Sequence, residues 1–99
     1  MDRATARMLI RERAGQMVPV PHAVERMIAR GIDRQSVKRC LERGTLVEGP
    51  ARDIASQQWR CAVEAPFDGV LWRIVVEIPE DGLLVITVID VRRLRPRRR

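Results

Sequence analysis

The hydrophobic periodicity of this chain changes once, at Gly44, and that change constrains the fold more than any other feature. Before Gly44, apolar residues recur every three or four positions, which is typical of helices with one buried face. After Gly44 they alternate with polar residues, which is typical of half-buried strands. Neither layer can bury its apolar side alone. The pattern therefore predicts an α+β domain, with N-terminal helices packed on one face of a small antiparallel β-sheet.

Three helices and four strands are expected within this single domain of residues 1–91. The helices are expected at about residues 3–15, 22–30 and 34–43. The strands are expected at about residues 45–48, 58–65, 70–78 and 83–91. Residues 18–21 are interpreted as an extended link because two prolines enforce it, and residues 49–56 as a loop. Residues 92–99 are interpreted as a basic, flexible tail.

Two short signals mark the boundary between the second and third helices. Gly31 is expected to be a left-handed C-cap, because glycine adopts that conformation without steric cost. Asp33 is expected to be an N-cap, with Ile32 and Val37 placed to pack against each other around it. The segment is thus predicted to turn tightly between two helices.

Composition limits both the core and the cellular setting. The chain has 99 residues, 45% hydrophobic, with three aromatic residues and no tyrosine. The core must therefore be aliphatic, and few aromatic platforms remain for stacking single-stranded bases. The sequence has no signal-peptide core and no run long enough to span a membrane, so a cytoplasmic protein is expected.

The positive charge is distributed unevenly along the chain. The formal net charge is +6, made of +2 over residues 1–21, +3 over 22–44, −5 over 45–91 and +6 over 92–99. A basic surface attracts nucleic acid through counterion release, but the acidic strand region would oppose that attraction. All cations except Lys38 are arginine, which reflects either codon bias or the planar fork that arginine offers to phosphate.

The two cysteines do not suggest a metal site. Cys40 and Cys61 are separated by a spacing unlike that of zinc ligands, and His22 is the only histidine. Both cysteines fall at apolar positions, which favours buried thiols in a reducing compartment. No metal and no cofactor are expected.

Three segments resemble the domain-of-unknown-function family 4258. They are HAVERMIARGI at residues 22–32, a V-x-x-C-L-x-x-G helix at residues 37–44, and GLLVITVID at residues 82–90. The likeness covers about residues 5–91. It implies the barnase–EndoU–colicin–RelE fold group, which includes metal-independent ribonuclease toxins, and with it a bacterial or phage toxin–antitoxin or conflict system and an antitoxin-like protein partner.

The resemblance also implies a set of site residues. His22, Glu25, Arg26 and Arg30 match the helix motif of the family, and Thr87 matches its final strand. The family often carries a tyrosine on that strand, where this chain has Ile89.

Metal-independent RNA cleavage requires a base, cations for the phosphorane charge and an acid for the leaving oxygen. His22 has the side chain whose ordinary pKa suits proton transfer near neutrality. Arg26 and Arg30 follow it at one-turn intervals and are suited to bind phosphate, with Glu25 orienting one of them. Arg60 and Arg73, on one face of neighbouring strands, are expected to extend this substrate-binding patch. A metal-independent endoribonuclease is therefore a candidate function, and the sequence leaves open whether the protein is catalytic.

Two other functions remain open from the sequence. The same scaffold suits a non-catalytic module that binds RNA or a protein partner. In that case His22 bonds to the backbone, and Arg60–Glu64 and Arg73–Glu77 are ion pairs. Residues 22–44 also have the length of a DNA-binding helix-turn-helix, although packing on the sheet would hide its reading face.

Overall fold

The computed structural model describes residues 1–93, with the side chain of Arg93 excepted. The predicted α+β fold class is confirmed, because three helices pack on one five-stranded sheet. The helices are α1 (Arg3–Arg13), α2 (Pro21–Arg30) and α3 (Arg34–Arg43). The strands are β1 (Met17–Pro19), β2 (Thr45–Arg52), β3 (Trp59–Phe67), β4 (Val70–Ile78) and β5 (Leu83–Arg93). A short 3-10 turn, Ala14–Gln16, follows α1.

The sheet is mixed, whereas the sequence predicted an antiparallel one. Its strand order is β1-β5-β4-β3-β2, and β1 pairs parallel with the start of β5 while the other pairs are antiparallel. β1 overlaps the segment interpreted as an extended link, since Val18 and Pro19 belong to both. Pro19 is tolerated there because β1 is an edge strand. Immediately afterwards the Val20 amide donates to the Val85 carbonyl at 3.0 Å.

Three strands run beyond their predicted ends. β3 continues to Phe67, two residues past its predicted end. β2 continues through Gly49 and Pro50, which were expected to begin a loop, and its pairing with β3 shifts register on either side of Glu48. β5 includes the first two residues of the predicted tail, since residues 92 and 93 pair with Leu71 and Val70. The rest of the predicted tail, residues 94–99, lies outside the described residues.

The predicted turn between α2 and α3 is confirmed. Gly31 is left-handed, with φ of 72°, and the Asp33 carboxylate accepts from the Ser36 amide at 2.8 Å. Ile32 and Val37 are both buried in the core. α1 is shorter than predicted, because the 3-10 turn replaces its last residues.

The core lies between the helices and one face of the sheet. On that face, directly opposed pairs join β3 to β4, including Val63 with Ile74 and Cys61 with Val76. The helices contribute a small set of buried residues to the same cluster. These are Ala6 and Ile10 from α1, Ala23 and Met27 from α2, and Val37, Cys40 and Leu41 from α3. The aliphatic core expected from the composition is therefore present.

Arginines of α1 bind backbone carbonyls around the end of α3. Arg7 donates to Gly44 O at 2.7 Å and to Glu42 O at 3.2 Å, and Arg11 donates to Glu42 O at 3.2 Å. Arg3 reaches Leu46 O at 2.6 Å and Gly49 O at 2.7 Å. A helix end leaves carbonyls without intrahelical partners, and these guanidinium groups supply donors for them. The arginines thus hold α1 against the α3–β2 junction.

None of the helices described here is both long and apolar enough to cross a membrane.

Truncation of a buried aliphatic side chain is expected to be costly. Leu41 is fully buried on α3, so Leu41→Ala should lower the free energy of unfolding by about 2–5 kcal/mol through lost burial and a residual cavity. Ile28→Ala is the matched control, because Ile28 is 76% exposed, and it should change stability by less than about 0.5 kcal/mol. Urea denaturation measures both. Equal effects would contradict the assignment of the core.

The buried thiols are expected to resist alkylation. Burial raises the pKa of Cys40 to about 11, so its reactive thiolate is scarce at neutral pH. Iodoacetamide should modify Cys40 at pH 7.5 about 100-fold more slowly in the native protein than in denaturant. The native rate should rise as the pH approaches 11. Mass spectrometry of the Cys40 peptide measures this, and rapid native labelling at pH 7.5 would contradict the buried position.

Candidate functional site

The flank of α2 carries the predicted histidine and arginines. Ala23 and Met27 face the core, and this places residues 22, 26 and 30 on an adjacent flank, one helical turn apart. His22 and Arg26 are both exposed. The Arg26 Nε donates to His22 Nε2 at 3.4 Å. The structure therefore brings these two predicted residues together on the surface.

Arg30 continues this flank but already has a carboxylate partner. Its Nη1 lies 3.7 Å from the Asp90 Oδ1 on β5. Both side chains are substantially exposed, so the pair is worth at most about 1 kcal/mol. Arg30 and Asp90 also line a cleft of about 190 Å³ with Trp72 and Phe67. Since the ion pair is weak, a ligand with a phosphate group can compete for the Arg30 guanidinium.

Glu25 does not orient the other residues of α2 in this structure. Its side chain is exposed, and within residues 1–93 no hydrogen bond or ion pair joins it to His22, Arg26 or Arg30. Among the described residues, no contact therefore supports the predicted role of Glu25 in orienting an arginine.

Thr87 lies on the face of the sheet that the helices do not cover. It is paired with Val75, whereas the neighbouring Val88 is paired with Ile74 of the core face. Thr87 and the α2 flank therefore belong to different surfaces. The residues predicted to form one site are divided between them.

Arg60 and Arg73 lie on the same uncovered face, as the sequence predicted, but each binds a carboxylate. Arg60 binds Glu77, with its Nε at 3.1 Å, and Arg73 binds Glu64, with its Nε at 2.7 Å. The expected partners are exchanged, because the β3–β4 register places Arg60 directly opposite Glu77 and Glu64 opposite Arg73. Directly opposed side chains lie about 5 Å apart. The interpretation of these arginines as ion-paired is therefore correct, with different partners.

A polar cluster around Glu77 was not predicted from the sequence. Glu77 is only 4% exposed, yet its carboxylate accepts from Arg60 and from the Ser56 hydroxyl at 2.9 Å. Arg60 also lies 3.3 Å from the Asp53 carboxylate. The backbone amide of Ser56 donates to Asp53, and this is the main reason that the pKa of Asp53 lies below its ordinary value. The cluster adjoins a groove of about 400 Å³.

Part of this cluster had a sequence signal. Asp53 and Ser56 have the spacing at which an aspartate accepts from a backbone amide three residues later. The contact from Ser56 to Glu77 spans 21 residues and depends on the strand register, so no local pattern indicates it.

No metal centre is formed by the residues described here, since no group of three or more histidine, cysteine or acidic side chains is placed to hold an ion. The two cysteines are free and buried.

Removing Arg60 is expected to leave a buried charge without its main partner. Arg60→Ala should destabilise the protein by about 2 kcal/mol, because Glu77 stays buried while the half-exposed arginine is lost. Adding Glu77→Leu to this variant removes the unpaired charge and should restore most of the stability. Thermal and urea unfolding of both variants measure this. If the double variant is no more stable than Arg60→Ala, Glu77 is not the cause.

The comparison with known proteins gives one match. The family model described as domain of unknown function (DUF4258) matches residues 21–90. No curated protein and no solved structure matches the chain. The matched segment runs from the first residue of α2 into β5, so it includes every predicted site residue, and α1 precedes it. Because the match covers well over half of the sequence, the chain belongs to the DUF4258 family.

Proposed function

We propose that this protein binds RNA through the exposed flank of α2 formed by His22, Arg26 and Arg30, hereafter the α2 flank. The observation that carries the proposal is the exposed contact between Arg26 and His22, with Arg30 one turn further along. Within the described residues, no carboxylate lies within 4.0 Å of the ring nitrogens of His22 or the guanidinium nitrogens of Arg26. Arg26 is thus not neutralised by a carboxylate of these residues, whereas Arg30 is paired with Asp90.

The chemistry of these side chains fits phosphate. A guanidinium group offers parallel N–H donors that match two phosphate oxygens. Successive residues of the flank are about 5.4 Å apart along the helix axis, so they can follow an extended phosphate backbone. Such contacts position a nucleic acid without reading its bases. We therefore expect binding with little sequence preference.

Binding is better supported than cleavage. Cleavage requires a base and an acid at one phosphate, and the α2 flank offers a single proton-transfer group, His22. Glu25 makes no contact with it, Thr87 lies on the other face of the sheet, and the chain has no tyrosine. A non-catalytic RNA-binding module on a scaffold related to ribonuclease toxins is the reading we favour.

Cleavage of RNA is the second candidate, on a specific observation. The Arg26 guanidinium lies against the Nε2 of His22, so a phosphate bound by Arg26 would sit beside the imidazole. A histidine in that position can take the proton of a 2′-hydroxyl. In this case the protein would act without metal as an endoribonuclease of a bacterial toxin–antitoxin or conflict system, in the cytoplasm, with an antitoxin-like protein as its inhibitor.

Loss of the two arginines is expected to weaken RNA binding. Arg26→Ala with Arg30→Ala should reduce affinity for a single-stranded RNA oligomer at least tenfold and lower the salt slope by about 1.4, or about 0.7 per lost phosphate contact. Arg34→Ala with Lys38→Ala is the control, since it removes the same charge from α3. Fluorescence anisotropy measures the effect between about 50 and 200 mM salt, the range in which phosphate contacts respond to ionic strength. Equal losses in both double variants would contradict the α2 flank as the binding surface.

A cleavage assay of wild type beside His22→Ala decides between binding and cleavage. Wild type and His22→Ala are incubated with labelled RNA, and the products are resolved on a gel. Cleavage by wild type alone would establish the second candidate. Equal cleavage by both proteins would remove His22 from any catalytic role, and absence of cleavage in both would leave the binding module.

A further inference from the structure

Three arginines of α1 line a groove that the proposed function does not use. Arg3, Arg7 and Arg11 follow at one-turn intervals, and they enclose a groove of about 350 Å³ with the α3–β2 junction at Gly44 and Thr45. Ala4 and Leu46 complete its lining. The three arginines precede the segment that the family model matches, whereas Gly44, Thr45 and Leu46 lie within it.

The charge of this groove is not compensated. No acidic residue is among its lining residues, and within residues 1–93 none of the three arginines is in an ion pair. Their hydrogen bonds go to neutral backbone carbonyls. Glu42 is close along the chain, but its carboxylate binds Lys38. Like charges four residues apart on a helix repel one another, so the three arginines carry an electrostatic cost that a bound anion would reduce.

Arg7 contains a donor without an acceptor. Its Nη2 binds Gly44 O and Glu42 O, whereas its Nη1 is shielded from solvent and has no hydrogen-bond partner among the described residues. Burial, and then the charge of Arg11, lowers the pKa of Arg7. A shielded guanidinium donor that lacks a partner is unfavourable. Arg7 also lines the groove.

We infer that the groove lined by Arg3, Arg7 and Arg11 binds a phosphate group. A phosphate supplies the negative charge that the three guanidinium groups lack, and its oxygens match the paired donors of each fork. The groove is large enough for a phosphate together with an attached sugar. Either a free phosphate-bearing molecule or a phosphate of an RNA chain provides this chemistry. The inference does not depend on the α2 flank, which lies on another helix.

Inorganic phosphate is the first probe, titrated into the full chain against sodium chloride of equal ionic strength. The side-chain Nε–H resonances of Arg3, Arg7 and Arg11 report the groove directly by NMR. We expect a saturable shift of these resonances with phosphate and none with chloride. Absence of a saturable phosphate shift would overturn the inference, whatever the result for RNA binding at the α2 flank.

Arg11→Ala is the variant of choice, because Arg11 makes only one carbonyl contact, at 3.2 Å. It should weaken phosphate binding about tenfold, as expected for one lost charge-assisted hydrogen bond. Arg34→Ala is the matched control, since Arg34 also makes one carbonyl contact, at 3.4 Å, and does not line the groove. It should change the phosphate affinity by less than about twofold. This is well below the tenfold change that corresponds to about 1.4 kcal/mol. Equal weakening by both variants would reduce the effect to net charge and overturn the site.

Arg7→Lys keeps the positive charge but removes the planar guanidinium fork. Because the substitution is conservative, this variant keeps the inference testable if Arg11→Ala fails to fold. It should retain a native spectrum and bind phosphate more weakly than wild type.

A single-stranded RNA oligomer is then added to the phosphate-saturated protein. If RNA reverses the phosphate shift, the groove takes RNA phosphates. If the shift persists while RNA binds elsewhere, the groove takes a separate phosphate-bearing molecule. Unchanged phosphate affinity in Arg7→Lys would contradict the fork as the binding group.

Discussion

The contact between the helices and the aliphatic face of the three central strands is the interaction on which the rest of this structure depends. Residues such as Val63 and Ile74 are inaccessible to solvent, because α3 packs on β3 and β4 and α2 packs on β5. This covering fixes which flank of α2 reaches the surface, and so it exposes His22 and Arg26. It also forces the charged residues of β3 and β4 to the other face, where Arg60 and Glu77 pair. Both candidate surfaces are thus consequences of one apolar contact.

Arginine has two distinct uses in this chain, and the net charge does not separate them. Arg3 and Arg7 on α1, and Arg13 at its end, donate to carbonyls of distant segments, as Arg13 does to Pro79 and Gly82. These guanidinium groups replace the water or polar side chains that would otherwise satisfy the backbone. Arg26, in contrast, contacts only His22 among the described residues. The formal net charge of +6 therefore does not show which guanidinium groups have protein partners.

Much of the fold was predictable because its signals are local. The change of period at Gly44 and the caps at Gly31 and Asp33 are each readable within a few residues, and the structure confirms them. β1 was missed because three residues carry no periodicity and parallel pairing is non-local. The sequence also did not reveal that the predicted site residues lie on two surfaces. The face on which Thr87 lies follows from a register shift in β5, which sequence alternation does not show. Partners across strands, such as Arg60 and Glu77, likewise depend on register.

The brevity of β1 has a consequence for the exposed border of β5. β1 lies beside only the first three residues of β5, and among the described residues no further strand continues along that border as far as Arg93. Backbone groups there are open to recruitment by a foreign chain, which is the usual start of aggregation. The chain places Asp90 and then consecutive arginines on this stretch. Charged side chains in these positions disfavour edge-to-edge pairing of two copies, because pairing would remove water from the charged groups.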